Sequence, residues 1–478
     1  MTYEAIQGIG AYAPAFYITS ETFAGALDRH EASGIEQCAI PDADEDPLTM
    51  AWEAGDRALE AAGVDPAAVS YLGFATTTPP VGEEDLSIRL GSMLGVSEDA
   101  RHSYSTGSDR VGIQSVLDAA DHASSLEGVS LVVVADAPAA SPTSAIGQSA
   151  GGGAVGFVLG EDGPGSITDV AHGSTVAPGE RYRPPESTEP TGLGITSYDR
   201  QAYRSAVSDA VGQLAIDLPS VDAAAVHAFD GKEPYRLSGP LDLENETIHQ
   251  GTRVHDLGYT GAATVPIGIA HAVAGGAGSI LAVGYGAGAG ADALHLELGS
   301  VPLTADLDPT VELDYAGYLR RRGELASTEP EGGGAYVSLP SWVRTLPQRH
   351  RLEAGRCVAC GELSLPPEGF CSSCGETERY EQVTLSGTGT VEAITTISSG
   401  GAPPEFEVYQ SQVGAYQTAV IAFDGPDGTA VSLPAMVATE AAVDVGDRVR
   451  RVIRRIYTQE DLPRYGIKVM TETAQDDI

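Results

Sequence analysis

Four of the five cysteines lie close together, Cys357, Cys360, Cys371 and Cys374, in the spacing C-x2-C-x10-C-x2-C with glycine and proline in the knuckles. Two close pairs of thiolates can close a tetrahedron around zinc, and four thiolates leave no open position on the ion. The chemistry of such a site is therefore structural: it staples a unit too small to hold itself together by burial alone. Two disulfides would need an oxidising compartment. The N-terminus, "MTYEAIQGIGAYAP", has neither the basic start nor the long apolar run of an export signal, so a cytoplasmic location is expected. The fifth cysteine, Cys38 in "GIEQCAIPDADED", has the setting of a small core residue.

A second stretch with chemical potential is "SYSTGSDRVGIQSVL", Ser103 to Leu117. It has the form of a strand handing over to a helix, and a helix N-terminus stabilises negative charge and activates a nucleophile. No cysteine lies between residues 100 and 117. A hydroxyl there, on Ser105, Thr106 or Ser108, would need a paired base, for which His227 in "HAFDGKEP" is a candidate; the same histidine could simply fill a polar pocket. Arginines form two groups: Arg448, Arg450, Arg451, Arg454 and Arg455 near the end, and Arg320, Arg321, Arg322, Arg344, Arg349, Arg351 and Arg356 before and around the cysteines. They could hold phosphates by bidentate pairing, or pair with acids of the chain itself. Asp42, Asp44, Glu45 and Asp46 read as a solvated acidic loop without a role. "SAGGGAVGFVLG" lacks the lysine and spacing of a P-loop, and its glycines suit close backbone approach beside a pocket.

The elements that must position these groups belong to a chain of 478 residues, long enough for two or three domains. Lys and Arg number 27 against 67 Asp and Glu, a net charge of -40, and only Lys232 and Lys468 are lysines. That balance excludes nucleic acid and anionic membranes as expected partners and fits a protein kept soluble in very salty cytoplasm. The uncharged stretch Gly258 to Ala291 is rich in glycine and contains Pro266, so a buried helix followed by a buried strand is expected there rather than a membrane span. "GIQSVLDAADHASSLEGVSLVVVADAP", from Gly112, and "GAATVPIGIAHAVAGGAGSILAVGYGAG", from Gly261, each run from a small-residue helix through a glycine turn to an apolar strand. Their shared offset predicts a duplicated α/β arrangement. After a charged, glycine-containing linker (Arg320 to Gly334) and the cysteines, short β-rich runs from Thr384 predict a small antiparallel barrel of the OB type, with "GPDG" as a hairpin turn. In the last run Val449, Val452, Ile453 and Ile456 fall at helical spacing, which by itself predicts a helix.

"GIGAYAPAFYI", "IPDADED", "VGIQ", "SAGGGAVGFVLG", "HAFDGKEP" and "GYGAGAGADA" come in an order that resembles the thiolase superfamily, specifically archaeal 3-hydroxy-3-methylglutaryl-CoA synthase. "RCVACGELSLPPEGFCSSCG" followed by "LSGTGTVEAITTI" resembles the zinc-ribbon/OB-fold family that accompanies archaeal thiolases and these synthases. The resemblance implies thiolase-like halves over 1–165 and 166–300, a linker over 301–345, a zinc ribbon over 346–379, an OB barrel over 380–468 and a tail over 469–478. It implies coenzyme A thioesters as ligands, a homodimer, and an acetyl-CoA acetyltransferase (thiolase) as partner; of the basic surface read above, Arg448, Arg450 and Arg451 are then the candidates for the CoA phosphates, beside the zinc expected on the four cysteines. The family's site uses a Cys that takes the acetyl group, a Glu as general acid/base, and a His and an Asn on the thioester oxygens. The Cys position falls at Thr106, the Glu near Thr76 and the Asn near Leu257; His227 alone matches. The resemblance leaves three expectations: an acyl-CoA-binding, substrate-channelling relative whose Cys-dependent condensation is lost or altered; an acyltransferase making or breaking C–C bonds with a Ser/Thr–His site or without an acyl-enzyme; and a non-catalytic scaffold. Because unscreened repulsion among so many acids grows as salt is withdrawn, the melting temperature should rise from low to molar KCl. A flat thermal-shift series would contradict the halophilic reading.

Overall fold

The computed structural model describes residues 3–472 apart from 127, 186, 188, 326–335, 368, 378 and 399. Two compact units divide the chain. The first takes in residues up to Tyr318 without Asp42–Glu45 and Ser92–Leu94; the second joins those two short segments to the chain from Leu319 onward. The middle of the expected linker, 326–335, and the end of the expected tail, 473–478, lie outside the described residues. No helix among the described residues is long and apolar enough to cross a membrane.

The first unit is built on a ten-stranded sheet. Its strands are β1 (Tyr3–Tyr12), β2 (Val69–Ala75), β3 (Arg101–Ser105), β4 (Val129–Asp136), β5 (Gly153–Leu159), β6 (Gly165–Ala177), β7 (Ala223–Val226), β8 (Ser279–Gly286), β9 (Gly288–Glu297) and β10 (Leu303–Asp306). The order is β3-β2-β4-β5-β1-β6-β9-β8-β7, with β10 beside β1. Each half repeats one pattern. A strand (β2, then β7) runs parallel to the strand that follows a helix (β4, then β8), and that strand turns back antiparallel onto the next (β5, then β9). The two helices, α2 (Val111–Leu126) and α4 (Thr264–Ala274), lie in the segments that begin at Gly112 and Gly261, so the duplicated pattern legible in the sequence is present in the pairing. The uncharged run after Gly258 divides into α4 and β8, as its glycines and length require.

Between these comes α1 (Pro47–Ala62), which starts where Asp46 caps the free N–H groups of Leu48 and Thr49, with Thr49 returning the bond to the cap, and Pro47 at its first turn. It lies hard against the sheet: a Cβ on Gly10 of β1 would stand 2.2 Å from the Ala58 nitrogen. A further helix, α3 (Thr196–Val211), covers β6 and β9 with Ala202, Tyr203, Ala206 and Val207. Val132, Val134, Val155, Phe157, Ile113 and Ile267 fill one core, and Tyr203, Val226, Leu281, Val283 and Tyr285 another. The apolar strands are covered on both faces, which explains their unbroken hydrophobic sequence.

In the second unit β11 (Glu353–Cys357) pairs with β12 (Leu363–Ser364) and β13 (Tyr380–Thr384), and this small sheet carries the cysteine knuckles. A closed barrel comes next: β14 (Thr388–Ile397), β15 (Tyr416–Asp424), β16 (Ala430–Val437), β17 (Arg448–Gln459) and β18 (Leu462–Thr471), in the order β14-β15-β16-β18-β17. The "GPDG" turn joins β15 to β16, with Asp427 at φ 62°. The helical spacing of Val449, Val452, Ile453 and Ile456 is overridden. The run is β17, paired along β18 and, at its start, with β14. Its β-branched side chains suit a pleated surface, and two neighbouring strands satisfy its backbone.

The acidic cluster is the main departure from expectation. Asp42, Asp44 and Glu45 are buried in the second unit rather than solvated. A buried carboxylate must be paired, and these are: Arg321 lies 2.9 Å from Asp42, Lys468 2.5 Å from Asp44, and Arg454 3.3 Å from Glu45. Lys468, one of the two lysines, is fully buried and lies over the Tyr409 ring. Removing one partner of such a pair leaves an uncompensated charge. Lys468→Met should therefore cost about 3–5 kcal/mol in denaturant titration, and Asp44→Leu in the same chain should recover part of it. Unchanged stability in the single variant would contradict the pairing.

Candidate functional site

The loop from β3 into α2 carries Ser108, Asp109 and Arg110, with the Val111 and Ile113 N–H groups donating to the Ser108 and Arg110 carbonyls. Arg110 is clamped on the neighbouring strand. Its Nη2 donates to Asp292 Oδ1 at 2.6 Å and its Nε to Oδ2, and the buried Asp292 also meets His172. This fixes the residue beside it. Asp109 sits just ahead of α2, where the helix N-terminus favours an anion.

His227 comes directly after β7. Its N–H donates to the Val283 carbonyl at 3.0 Å and its own carbonyl accepts from Tyr203 Oη at 2.7 Å, so the ring is aimed by backbone contacts on both sides. The ring nitrogen Nε2 lies 2.9 Å from Asp109 Oδ2. A carboxylate only accepts, so Nε2 carries the proton. Tyr259 Oη donates to the same oxygen at 2.5 Å. Asp109 Oδ1 has no hydrogen-bond partner among the described residues. Burial pushes the Asp109 carboxyl up, but the His227 hydrogen bond and the charges of His227 and Arg181 outweigh it and hold the group below its usual range. Burial, only partly offset by Arg181, raises the Tyr259 phenol well above its usual value. The arrangement pairs a carboxylate held ionised with a phenol held protonated.

Asp109, Tyr259 and Arg181 face a cavity of about 380 Å³, lined also by Thr77, Thr78 and Ser108 among others, with His227 buried behind Asp109; the cavity's size is within the range of ligand sites, on the order of 300–1,000 Å³. Asp136, at the end of β4, is fully buried behind it. It accepts from the hydroxyls of Thr76, Thr77 and Thr78 and from the N–H groups of Thr77, Thr78 and Ala262, tying the turn after β2 to the start of the second-half helix segment. Burial raises its carboxyl above the usual range. It positions the cavity wall and does not line it. Gly151 permits the other close approach: a Cβ there would stand 1.8 Å from the Leu257 carbonyl.

Of the residues singled out from the sequence, the structure brings His227 into this site but not Thr106, which is exposed; the side chain against His227 is Asp109, three residues on. Thr76 is buried on Asp136, and Leu257 is buried in the core while Tyr259, two residues on, reaches the site. Cys38 is buried in the strand Gln37–Ile40, donates to the Gln148 carbonyl at 3.3 Å, and is pushed by burial up to about 12, so it is no nucleophile at neutral pH. Of the arginines expected on CoA phosphates, Arg448 is taken up by Asp424 at 2.6 Å and Glu472 at 3.3 Å, and Arg451 donates to the His350 carbonyl at 2.6 Å. Asp109, Tyr259, Asp136 and Arg181 escaped the sequence reading. A signal for the first existed: Asp109 is the only carboxylate between residues 100 and 117.

The four cysteines converge as their spacing requires. Their sulfurs lie within 4.8 Å of one another, with Cys357–Cys374 at 3.7 Å and Cys360–Cys371 at 3.5 Å. Sulfurs of a tetrahedral zinc site are about 3.8 Å apart. The set fits a tetrahedral thiolate-bound metal.

With this geometry in view, the comparisons with known proteins divide along the chain. Residues 344–378 match the family of the ChsH2 rubredoxin-like zinc ribbon domain. The chain is 25% identical over 344 residues to a hydroxymethylglutaryl-CoA synthase of Methanothermobacter thermautotrophicus, covering 67% of this chain and 98% of the relative. It is 27% identical over 342 residues to one of Aeropyrum pernix, covering 67% and 94%. Among solved structures it is similar to MvaS in complex with 3-hydroxy-3-methylglutaryl coenzyme A, with a TM-score of 0.58 at 17% identity over 70% of this chain and 95% of that one. The fold is thiolase-like. The thiolase-like part has hydroxymethylglutaryl-CoA synthases as homologues, and the zinc ribbon comes after it in the same chain. A second neighbour, an HMG-CoA synthase complexed with CoA, gives a TM-score of 0.56 at 15% identity over 70% of this chain and 93% of that one.

Thiol labelling checks both cysteine environments. The full chain should show no fast-reacting thiol while metal is bound, and the ribbon cysteines should react after strong chelation while Cys38 stays silent until unfolding. Early labelling of Cys38, mapped by peptide mass, would contradict its burial.

Proposed function

We propose that this chain processes acyl-CoA thioesters by proton transfer, making or breaking a C–C bond without a covalent acyl-enzyme. The observation that carries this reading is Asp109, hydrogen-bonded at once to His227 and Tyr259 beside an open cavity. A filler at this position would be apolar; a partly desolvated carboxylate, imidazole, phenol and guanidinium grouped at a cavity are the equipment of acid–base chemistry. Coenzyme A thioesters are the ligand class because the relatives are hydroxymethylglutaryl-CoA synthases. Two of the similar structures also hold CoA or its hydroxymethylglutaryl ester.

In the condensing direction Asp109 accepts the proton from the carbon beside the thioester carbonyl. The resulting enolate attacks a ketone, and the new alkoxide takes the Tyr259 proton. The protonated Asp109 then returns its proton to the Tyr259 oxygen along their 2.5 Å hydrogen bond, which resets the site with no net consumption. The reverse sequence cleaves a 3-hydroxyacyl thioester. His227, donating through Nε2, keeps the Asp109 carboxylate in place; it is a positioning residue in this scheme. The ribbon cysteines hold a structural zinc, because four thiolates leave no position open for substrate. The barrel is read as OB type from its strand order and the parallel pairing of its third and fifth strands. A channelling role beside a thiolase is a second reading, favoured by the presence of ribbon and barrel in the same chain as the thiolase-like unit.

Intact-protein mass spectrometry tests the absence of an acyl-enzyme. Acetyl-CoA should leave the unaltered protein without an adduct. Asp109→Cys should acquire one acetyl group, since the helix N-terminus and the adjacent imidazole then favour a thiolate. An adduct on the unaltered chain would overturn the proposal.

A further inference from the structure

Some arginines of the chain, such as Arg101, Arg200 and Arg204, form no ion pair among the described residues, and others have a carboxylate partner. Arg57, Arg89, Arg110, Arg253, Arg321 and Arg448 all have one. Arg181 and Arg183 make no hydrogen bond or ion pair through their side chains among the described residues, yet both line the cavity beside Asp109. Arg181 is half-buried, with its guanidinium carbon 4.7 Å from the Tyr259 ring centre and 4.8 Å from that of Phe229. Stacked on ring faces, a guanidinium keeps its N–H edge free for a planar anion. The residue before it is pinned: Glu180 accepts the Tyr285 hydroxyl at 2.6 Å on both oxygens and the Gly288 N–H at 3.3 Å. The backbone carrying Arg181 is thus tied to the end of β8 and the start of β9, while its guanidinium, whose charge also acts on Asp109, lines the cavity without a hydrogen-bond partner among the described residues.

We infer that Arg181 and Arg183 form the seat for an oxyanion of the ligand at the reacting end of the cavity. This rests on the acyl-CoA reading and adds to it a charged group that the substrate must bring. Two parts of an acyl-CoA could supply it: a carboxylate at the far end of the acyl chain, or a phosphate of CoA. The contact of Arg181 with the Tyr259 ring, itself bonded to Asp109, sets the seat beside the groups that would meet the acyl chain.

Calorimetric titration of the full chain with CoA, butyryl-CoA and glutaryl-CoA separates the sources. If the acyl carboxylate fills the seat, glutaryl-CoA binds more tightly than butyryl-CoA by about tenfold or more, and Arg181→Gln removes that preference while leaving CoA and butyryl-CoA affinity in place. If a phosphate fills it, Arg181→Gln weakens all three ligands equally. Arg183→Gln, at an exposed position, repeats either pattern in a variant whose folding is not at stake, and circular dichroism checks both variants. Unchanged affinity for all three ligands in both variants would overturn the seat while leaving the acyl-CoA reading intact. Failure of the unaltered protein to bind any of the three would overturn both.

Discussion

The thiolase-like unit turns on one half-buried charge. Asp109 stands at the start of a helix from the first half of the duplicated pattern, and the groups that hold it, His227 and Tyr259, come from the second. A carboxylate taken out of water is tolerated only if its oxygens are bonded and its charge is matched. Here one oxygen takes two donors, the helix terminus and Arg181 add positive potential, and the other oxygen is left free of the described residues. The rest of the unit serves that arrangement. The Arg110–Asp292 clamp fixes the loop, the strand-end contacts of His227 aim its ring, and Asp136 draws the threonine turn and the Ala262 segment together behind the cavity.

A carboxylate at the head of this helix offers different chemistry from a thiol. A thiolate forms a thioester with the acyl group; a carboxylate in this setting is too weak a nucleophile to do so usefully and acts as a proton acceptor. The neighbouring phenol, held protonated, supplies the complementary donor. The stretch 100–117 holds no cysteine and 71–81 no carboxylate, yet the pocket is not without ionisable groups, because Asp109 and Tyr259 both line it.

Much of this architecture is legible in the sequence, for identifiable reasons. The cysteine spacing, the twofold echo of helix, glycine turn and apolar strand, and the hairpin at "GPDG" are local signals whose physics is local. Where partners are distant the sequence misleads. The helical spacing of Val449, Val452, Ile453 and Ile456 carries no information about the strands that flank them. Asp42, Asp44 and Glu45 look solvated until Arg321, Lys468 and Arg454, hundreds of residues later, are brought to them. The residue against His227 is Asp109 and not Thr106, three positions earlier, because loop length between a strand and a helix obeys no periodicity. Tyr259 lies two residues from the expected Asn position for the same reason.

The central claim is that Asp109 takes a proton from carbon in a thioester-binding site. Its most direct measure is hydrogen exchange at the carbon beside the thioester carbonyl: acetyl-CoA in deuterated buffer with the full-length protein, monitored by proton NMR of the methyl signal. The account predicts protein-dependent loss of that signal, reduced by about 100-fold or more in Asp109→Asn with binding of the thioester retained. Exchange no faster than in buffer, or exchange equally fast in Asp109→Asn, would contradict it.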